Sequence, residues 1–221
     1  MTARSETDLN TRRAPQGVRD RIALSMVRFM RVFADLFFRK RYGHRAVVLE
    51  TVAAVPGMVG GLLQHLKCLR HICEDQGWIR ELLDEAENER MHLMTFIHIA
   101  KPSPFERGLI MIAQAFFYNA YFFFYLFAPR TAHRFVAYLE EEAVVSYTQY
   151  LAAIDNGQIE NVPAPDIARE YWKMSAGSTL RDVVIQVRAD EARHRDTNHD
   201  FADSLTGGGA MRTSTGAASE A

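Results

Sequence analysis

The sequence predicts an all-α protein organised as a four-helix bundle with additional helices. Apolar residues recur at helical spacing from about residue 18 to residue 201, and no segment alternates apolar and polar residues as a strand does. Proline and glycine divide this periodic region into long segments. A chain of 221 residues can bury a sizeable core in one domain. We therefore expect one helical domain over residues 20–205, between disordered tails at residues 1–19 and 206–221.

The first two helices are expected over about residues 20–40 and 46–75. Pro56 lies inside the second helix and is expected to kink it, because proline removes a backbone hydrogen bond. Three glycines of that helix lie on roughly one side and would let a neighbouring backbone approach closely: Gly57, Gly60 and Gly61.

A third helix is expected over about residues 79–100, where "KPSP" ends it. The fourth begins at Ser103 or Pro104 and ends at "APR". The fifth covers about residues 132–154 and the last about 180–205. The connector "ENVPAPDIAREYW" lies between these two and is expected to contain a short helix.

The overall charge gives no indication of nucleic-acid binding, because the formal net charge is only −1. Basic residues are nevertheless concentrated in the N-terminal quarter. They form either a solvated basic helix or a surface attracted to anionic lipid head groups. The N-terminus contains no apolar run, so a secretory signal is not expected.

An acidic residue lies in each of four predicted helices, and Glu50 is the most informative. It stands alone among apolar residues in "VVLETVAAV". A buried carboxylate without a partner costs several kcal/mol, so it must be exposed, protonated, paired or bound to a metal. An ion pair with Arg45 is the simplest structural alternative.

Two Glu-x-x-His motifs indicate a metal centre. Glu89 and His92 in "NERMHL" are three residues apart, as are Glu191 and His194 in "DEARH". Residues at this spacing share a helix face and can bind one ion together. Two such motifs, with one Glu from each of two further helices, make up the inward-facing ligand set of di-iron and di-manganese bundles. The predicted ligands are Glu50, Glu89, His92, Glu140, Glu191 and His194.

Two ambiguities remain in this ligand set. Glu140 and Glu142 point about 200° apart on a helix, so only one of them can reach the metals. Tyr147 shares the face of Glu140 and favours that residue. Asp190 is four residues from His194 and is an alternative to Glu191. Carboxylates with imidazoles favour iron that reacts with dioxygen over zinc.

Four segments resemble the signature segments of the alternative oxidases, which are di-iron quinol oxidases that reduce dioxygen to water without pumping protons. These segments are "LETVAAVPGMVGG", "NERMHL", "LEEEAVVSYT" and "RADEARHRDTNH". The resemblance extends over about residues 28–201. It implies a ferritin-like four-helix bundle that holds two iron ions, with the six predicted ligands in the family's ligand positions. It also implies oxidation of ubiquinol that is insensitive to cyanide.

The resemblance implies roles for further residues. Tyr147 matches a redox tyrosine beside the metals, and Glu142 could accept quinol protons. Asn88, Asp190 and Trp172 match residues that hydrogen-bond around the ligands. The implied quinol pocket consists of Arg31, Asp35, Arg45, Leu49, Glu142, Ala143 and Ser146, in which the serine replaces the usual threonine. Arg31 and Asp35 could instead form only an intrahelical ion pair, because they are four residues apart.

The expected partners are ubiquinol, dioxygen, membrane lipid and a second copy of the chain. The short N-terminus suggests a bacterial-type member at the cytoplasmic face of the inner membrane. The alternative is the matrix side of the mitochondrial inner membrane.

The segment "LIMIAQAFFYNAYFFFYLF", residues 109–127, is long enough to cross a bilayer. A single crossing would separate metal-binding helices that must pack together. Its tyrosines also favour the membrane interface. We therefore expect this helix to lie in one leaflet, where it forms an apolar surface with the Arg-rich first helix.

Three other functions are compatible with parts of this pattern. A ferritin-like iron store would share the metal ligands but not the aromatic surface. A membrane-bound di-iron hydroxylase would share both, and it would insert oxygen into its product. A structural membrane-surface protein would bind no metal.

Overall fold

The computed structural model describes residue 9, residues 11–38 and residues 42–206. This part of the chain contains seven helices and no strand, so the all-α prediction is confirmed. The helices are α1 (Gly17–Phe38), α2 (Tyr42–His71), α3 (Trp78–Ala100), α4 (Pro104–Phe127), α5 (Pro129–Asp155), α6 (Asp166–Trp172) and α7 (Leu180–Ser204).

Four of these helices form the bundle, in which α2 packs along α3 and α5 packs along α7. The helix α1 lies against α5, α4 lies against α2, and the short α6 lies against α3. One apolar cluster is built mainly from α5 and α7 and includes Leu151, Val183 and Val187. A second joins α1, α2, α4 and α5 through residues such as Val27, Val59 and Phe135. The metal-ligand candidates lie on the four bundle helices.

A glycine allows the close contact between α2 and α3. A Cβ atom added at Gly57 would overlap the backbone carbonyl oxygen of Leu82 and lie 3.0 Å from the Cβ of Ala86. The predicted close approach of a neighbouring backbone is therefore confirmed at this position. The helix continues through Pro56 without a break.

Three helices, α1, α2 and α5, begin three or four residues earlier than the sequence predicts, and specific contacts account for the first two of these starts. The helix α1 begins at Gly17, and the backbone N–H of Gln16 donates to Asp20 Oδ2 at 3.0 Å. The helix α2 begins at Tyr42 rather than near residue 46, where the ring of Tyr42 stacks on Tyr150 at 5.3 Å. The positions of these two helix starts depend on a hydrogen bond and on a ring contact, neither of which can be predicted from the spacing of apolar residues.

Part of the segment predicted as an N-terminal tail packs on the bundle. The backbone N–H of Arg13 donates to Glu141 Oε1 at 2.9 Å, and Arg195 donates to the carbonyl oxygen of Thr11 at 3.2 Å. The prediction of disorder therefore differs from the structure at residues 11–19. Residues 1–8 and residue 10 of that segment, and residues 207–221 of the predicted C-terminal tail, lie outside the described residues.

Arg13 also belongs to a set of paired charges that we call the ionic network. Its Nη1 lies 2.6 Å from Asp203 Oδ2, and Arg134 Nη2 donates to Asp203 Oδ1 at 2.5 Å. Arg134 also contacts Asp20, and its Nη1 donates to His199 Nδ1. His199 Nε2 in turn lies 3.1 Å from Glu141 Oε1. The network consists of Arg13, Asp20, Arg130, Arg134, Glu141, His199 and Asp203.

Large apolar side chains remain exposed along α4 and α1. On α4, Phe116 is 77% exposed and Phe127 is 80% exposed; on α1, Phe29 is 66% exposed. Within the described part of the chain, two helices, α2 and α4, are long and apolar enough to span a membrane, but α2 is mostly buried in the bundle whereas α4 is not. Of these two helices, it is therefore α4 that contributes, together with α1, to an exposed apolar surface.

Candidate metal centre

Four predicted ligands meet at the centre of the bundle. Glu50 from α2, Glu89 and His92 from α3, and Glu191 from α7 each direct a ligand atom into a space where these atoms lie within 4.8 Å of one another. His92 Nδ1 lies 3.3 Å from oxygens of both Glu50 and Glu191, and 3.4 Å from Glu89 Oε2. The two Glu-x-x-His helices thus face each other as the motif spacing predicts.

The other two predicted ligands lie beside this group. His194 Nδ1 is 2.6 Å from Glu89 Oε1, and Glu140 hydrogen-bonds with Glu191. All six side chains are buried. We refer to Glu50, Glu89, His92, Glu140, Glu191 and His194 as the carboxylate–histidine cluster.

The cluster contains several buried polar atoms without a hydrogen-bond partner. They include both carboxylate oxygens of Glu89, Oε2 of Glu50, Oε1 of Glu191, and the Nδ1 atoms of His92 and His194, which lie close to one another but form no hydrogen bond of good geometry. Buried polar atoms are almost always paired, so a group of unpaired ligand atoms requires an explanation. Four carboxylates and two imidazoles fit a pair of divalent cations. The residues present therefore match the metal centre that the sequence predicts.

The crowding of buried acids raises the pKa of three of them. Burial, together with the charge of Glu50, raises the pKa of Glu89 to about 8. Burial and the charges of Glu89 and Glu50 raise the pKa of Glu191 to about 7, and burial with the charge of Glu191 raises the pKa of Glu140. A bound cation would strongly stabilise the ionised form of carboxyl groups whose pKa is raised in this way.

Asp190 holds His92 from outside the cluster. Its Oδ2 accepts from His92 Nε2 at 3.3 Å, from Asn88 Nδ2 at 3.2 Å and from Trp172 Nε1 at 2.9 Å. Although burial opposes it, the hydrogen bond from His92 and the nearby charges lower the pKa of Asp190 to about 2. Since Asp190 fixes the Nε2–H of His92, Nδ1 is left as the ligand atom. This geometry favours Glu191 over Asp190 as the ligand.

The three acids of "LEEEA" have three different surroundings. Glu140 lies beside Glu191 in the cluster. Glu141 belongs to the ionic network, and Glu142 pairs with Arg31 and lies 3.6 Å from Arg12. The choice of Glu140 over Glu142 agrees with this arrangement, and the sequence analysis assigned no role to Glu141.

A cavity of about 680 Å³ extends from the cluster towards α1 and α4. Its inner end is formed by Glu50, Glu140, Glu191 and Tyr147, and most of its wall is apolar. Six of the seven residues predicted for the quinol pocket line it, namely Arg31, Arg45, Leu49, Glu142, Ala143 and Ser146. Its size lies within the range of small-molecule sites.

The seventh predicted residue, Asp35, joins two arginines of the cavity wall. Its Oδ1 accepts from Arg45 Nη1 at 2.5 Å, and its Oδ2 accepts from Arg31 Nε at 3.3 Å. Arg31 also pairs with Glu142. The Arg31–Asp35 contact is therefore part of a chain of ion pairs between helices. The alternative ion pair of Glu50 with Arg45 is not formed, because Arg45 pairs with Asp35 and Glu50 contacts Tyr147 and His92.

Tyr147 connects the cavity with the cluster. Its hydroxyl donates to Glu50 Oε1, and its ring stacks on Phe96 at 5.7 Å. Burial and the charge of Glu50 raise the pKa of Tyr147 well above its ordinary value, so the phenol keeps its proton.

One acid near the centre was missed by the sequence analysis. Glu85 is buried, and its Oε2 accepts from Asn198 Nδ2 at 2.9 Å. Burial raises the pKa of Glu85 to about 7, and the charge of Glu89 adds to this. The spacing gave a signal, because Glu85 is four residues before Glu89 and so lies on the ligand face of the same helix.

Comparison with known proteins agrees with this geometry. The family model described as alternative oxidase matches residues 3–203. Alternative oxidase 3, mitochondrial, of Glycine max is 57% identical over 196 residues, which cover 89% of this chain and 60% of that protein. Ubiquinol oxidase, mitochondrial, of Batrachochytrium dendrobatidis is 57% identical over 200 residues, covering 90% of this chain and 63% of that protein.

A relative from Arabidopsis thaliana, ubiquinol oxidase 1c, mitochondrial, is 58% identical over 196 residues, which cover 89% of this chain. The chain spans 60% of the length of that relative, as it does for the soybean protein. The names of all three relatives include the word mitochondrial. They give no support to the expected bacterial location.

Proposed function

The chain belongs to the alternative oxidase family, and we propose that it is a ubiquinol oxidase that reduces dioxygen to water at a centre of two iron ions. The observation that carries this proposal is the cavity of about 680 Å³, whose inner end includes three carboxylates of the carboxylate–histidine cluster. The overall reaction oxidises two ubiquinols and reduces one dioxygen to two waters. It pumps no protons and is insensitive to cyanide.

The six residues of the cluster would hold the irons. Four carboxylates balance the charge of two divalent ions, and one imidazole from each Glu-x-x-His motif completes the set. When bound, iron supplies the electron transfer and the reduction of dioxygen. The apolar cavity wall excludes water from the cluster and admits a lipid-soluble substrate.

The charged residues of the cavity wall would orient the quinol head group. Arg45 is buried and held by Asp35, so its guanidinium is positioned to donate to a quinol oxygen. Glu142 is assigned as the group that accepts a proton from the quinol hydroxyl, because its carboxylate lies in the same wall. Its ion pair with Arg31 keeps that carboxylate in place.

Tyr147 is assigned as the redox relay between quinol and the centre. Its O–H donates to Glu50, a proposed ligand, and its side chain lines the cavity. A phenol that keeps its proton can deliver a proton and an electron together.

The exposed apolar surface of α4 and α1 supports an interfacial position in one leaflet of a membrane. Residues of both helices line the cavity, so a lipid-soluble quinol reaches it from the hydrocarbon region. The names of the relatives include the word mitochondrial and so favour the second of the two expected locations, the matrix side of the mitochondrial inner membrane.

A separate apolar stripe supports a homodimer. It runs along α2 at spacings of three and four residues and includes one residue of α3: Met58, Leu62, Leu66, Leu69 and Leu83. A stripe of this kind fits the same stripe on a second copy of the chain.

Oxygen uptake by the purified protein tests the proposal. With ubiquinol as sole reductant and cyanide present, we expect two quinols oxidised per dioxygen and two irons per chain. A hydroxylase would need another reductant and would place oxygen in its product. A ferritin-like store would accumulate iron without steady quinol oxidation.

The role of Tyr147 has a matched control in Tyr150. Both are buried on α5 and both contact the ring of Phe96. We expect Tyr147→Phe to keep two irons and to lower turnover by ~100-fold, because the transferable proton is lost. Tyr150→Phe is expected to turn over normally. Full turnover in Tyr147→Phe would remove the tyrosine from the reaction.

A further inference from the structure

A second cavity reaches the carboxylate–histidine cluster from another side. It has a volume of about 170 Å³ and is lined by residues of α3, α6 and α7. It shares no lining residue with the apolar cavity, which is bounded mainly by α1, α2, α4 and α5. The wall of the smaller cavity is polar: Glu81, Asp84, Glu85, Asn88, Tyr171, Arg193, His194 and Thr197. We call it the acidic pocket.

The acidic side chains of this pocket become progressively more buried from the surface towards the cluster. Asp84 stands at the surface with its side chain 70% exposed, and Glu81 is half-buried. Glu85 is only 5% exposed, and Glu89 of the cluster is 1% exposed. Glu81, Glu85 and Glu89 are four residues apart and therefore share one face of α3. Carboxylates thus lead from solvent to the proposed iron ligands.

A second feature independently points to a cation. Asn88 is buried, and its Oδ1 has no hydrogen-bond partner, although its Nδ2 donates to both Tyr171 and Asp190. These two donations fix which amide atom is the oxygen, because the Asp190 carboxylate only accepts. A carbonyl oxygen left unpaired in an acidic pocket is a suitable ligand for a passing divalent ion.

The positive charges of the pocket are already paired. Arg193 contacts Asp190, and Arg80 lies 3.6 Å from Asp84 at the exposed rim. The apolar cavity has the opposite character, with Arg31 and Arg45 in a largely apolar wall. A hydrated cation entering there would have to lose water along the apolar wall before it reached the carboxylates at the inner end, which is costly.

We propose that the acidic pocket is the route by which hydrated ferrous iron loads the carboxylate–histidine cluster. This inference rests on the proposed iron centre. Glu81 and Asp84 attract the ion at the surface. Glu85 and Asn88 replace part of its hydration shell, and His194 and Glu89 receive it.

Anaerobic reloading of the full-length chain tests the route. The protein is stripped with a ferrous chelator, desalted and mixed with ferrous iron, and bound iron is counted against time. At low ionic strength we expect Asp84→Asn to load about threefold more slowly and Asp84→Lys about tenfold more slowly, because the local cation concentration falls. Both differences should shrink in ~1 M salt. The final iron content should equal that of the wild type.

Glu87 provides the matched control. It lies on the same helix, outside the pocket, and is also half-exposed and paired with an arginine, Arg90. Glu87→Gln and Glu87→Lys should load at the wild-type rate. Equal slowing by the variants at both positions, or no slowing at Asp84, would overturn the route. A wild-type protein that never gains two irons would overturn the iron centre itself, which is a different result.

Discussion

The bundle contains two groups of charges that share the helices α5 and α7, and the charges of the two groups are compensated in different ways. In the ionic network, each carboxylate meets a guanidinium, a histidine or a backbone N–H: Asp203 contacts Arg13 and Arg134, and Glu141 contacts His199. In the carboxylate–histidine cluster, four carboxylates face two imidazoles, and several ligand atoms have no partner. Both groups include acids from α5, and those acids are adjacent in the sequence.

This difference separates a structural site from a site that needs a ligand. A buried charge is tolerated when its partner is supplied by the chain, and the network supplies its own. The cluster leaves the compensating positive charge to be supplied from outside. An excess of buried acid with unpaired oxygens is therefore a better sign of a metal centre than the number of acids alone.

The largest expected effect comes from removing a carboxylate from the cluster. Glu191→Gln should lose iron and lower oxygen uptake by more than ~100-fold, because even residues around the ligands change metal affinity 10–100-fold. The iron-free variant should be no less stable than the iron-free wild type, since Glu191 is crowded by Glu89 and Glu50. Metal analysis and thermal melting of the stripped proteins measure both quantities.

Glu160→Gln is the control for this change, because Glu160 is exposed. It should keep both iron and activity. A Glu191→Gln protein that retained two irons would contradict the assignment of this residue as a ligand. A large drop in its iron-free melting temperature would mean that the cluster stabilises the apo fold as the network does.

Removing a charge from the ionic network should lower the stability of the iron-free protein without releasing iron. Arg134 is 1% exposed and contacts Asp20, His199 and Asp203. Arg134→Leu removes the guanidinium that Asp20 and Asp203 share, so that Asp20 keeps only Arg130 and Asp203 only Arg13 as cationic partners. Because Asp20 is buried, the change should cost ~3 kcal/mol of unfolding free energy, while the folded protein still binds iron. Denaturant unfolding of the iron-free protein gives the first quantity, and iron counting gives the second.

Arg90→Leu is a suitable reference for this measurement. Arg90 is an exposed residue whose main partner is Glu87, so the change should stay within ~0.5 kcal/mol. Loss of iron in Arg134→Leu without loss of stability would mean that the two groups of charges are coupled. The comparison drawn above would then fail.

The sequence predicted the cluster better than the network for a physical reason. Helical spacing determines which residues share a face, so Glu89 with His92 and Glu191 with His194 could be paired from their numbers alone. Glu50 could be recognised because its neighbours are apolar. In the structure Glu50, Glu89, His92 and Glu191 direct ligand atoms to one place, and His194 lies beside Glu89.

The network depends on contacts between distant segments, which spacing does not encode. Arg13 was assigned to a disordered tail, yet it meets Glu141 and Asp203 across more than 100 residues of sequence. Glu141 differs from its neighbours Glu140 and Glu142 only in the direction it faces. Glu85 is the exception, because its place four residues before Glu89 was available in the sequence.

The smallest expected effect concerns the hydrogen bonds that connect the cluster to its surroundings. The indole ring of Trp172 stacks on His92 at 5.7 Å and its Nε1 donates to Asp190 at 2.9 Å. Trp172→Phe keeps an aromatic ring but removes that donor, so Asp190 should hold His92 less firmly. We expect iron affinity to fall about tenfold, at the lower end for residues around metal ligands. Competition with a ferrous chelator measures this change.

The other tryptophan, Trp78, packs on Phe201, and Trp78→Phe should leave the affinity unchanged. Equal affinities in the two variants would mean that the bonds from Asn88 and His92 suffice to fix Asp190. The cluster would then depend on its surroundings less than the network does.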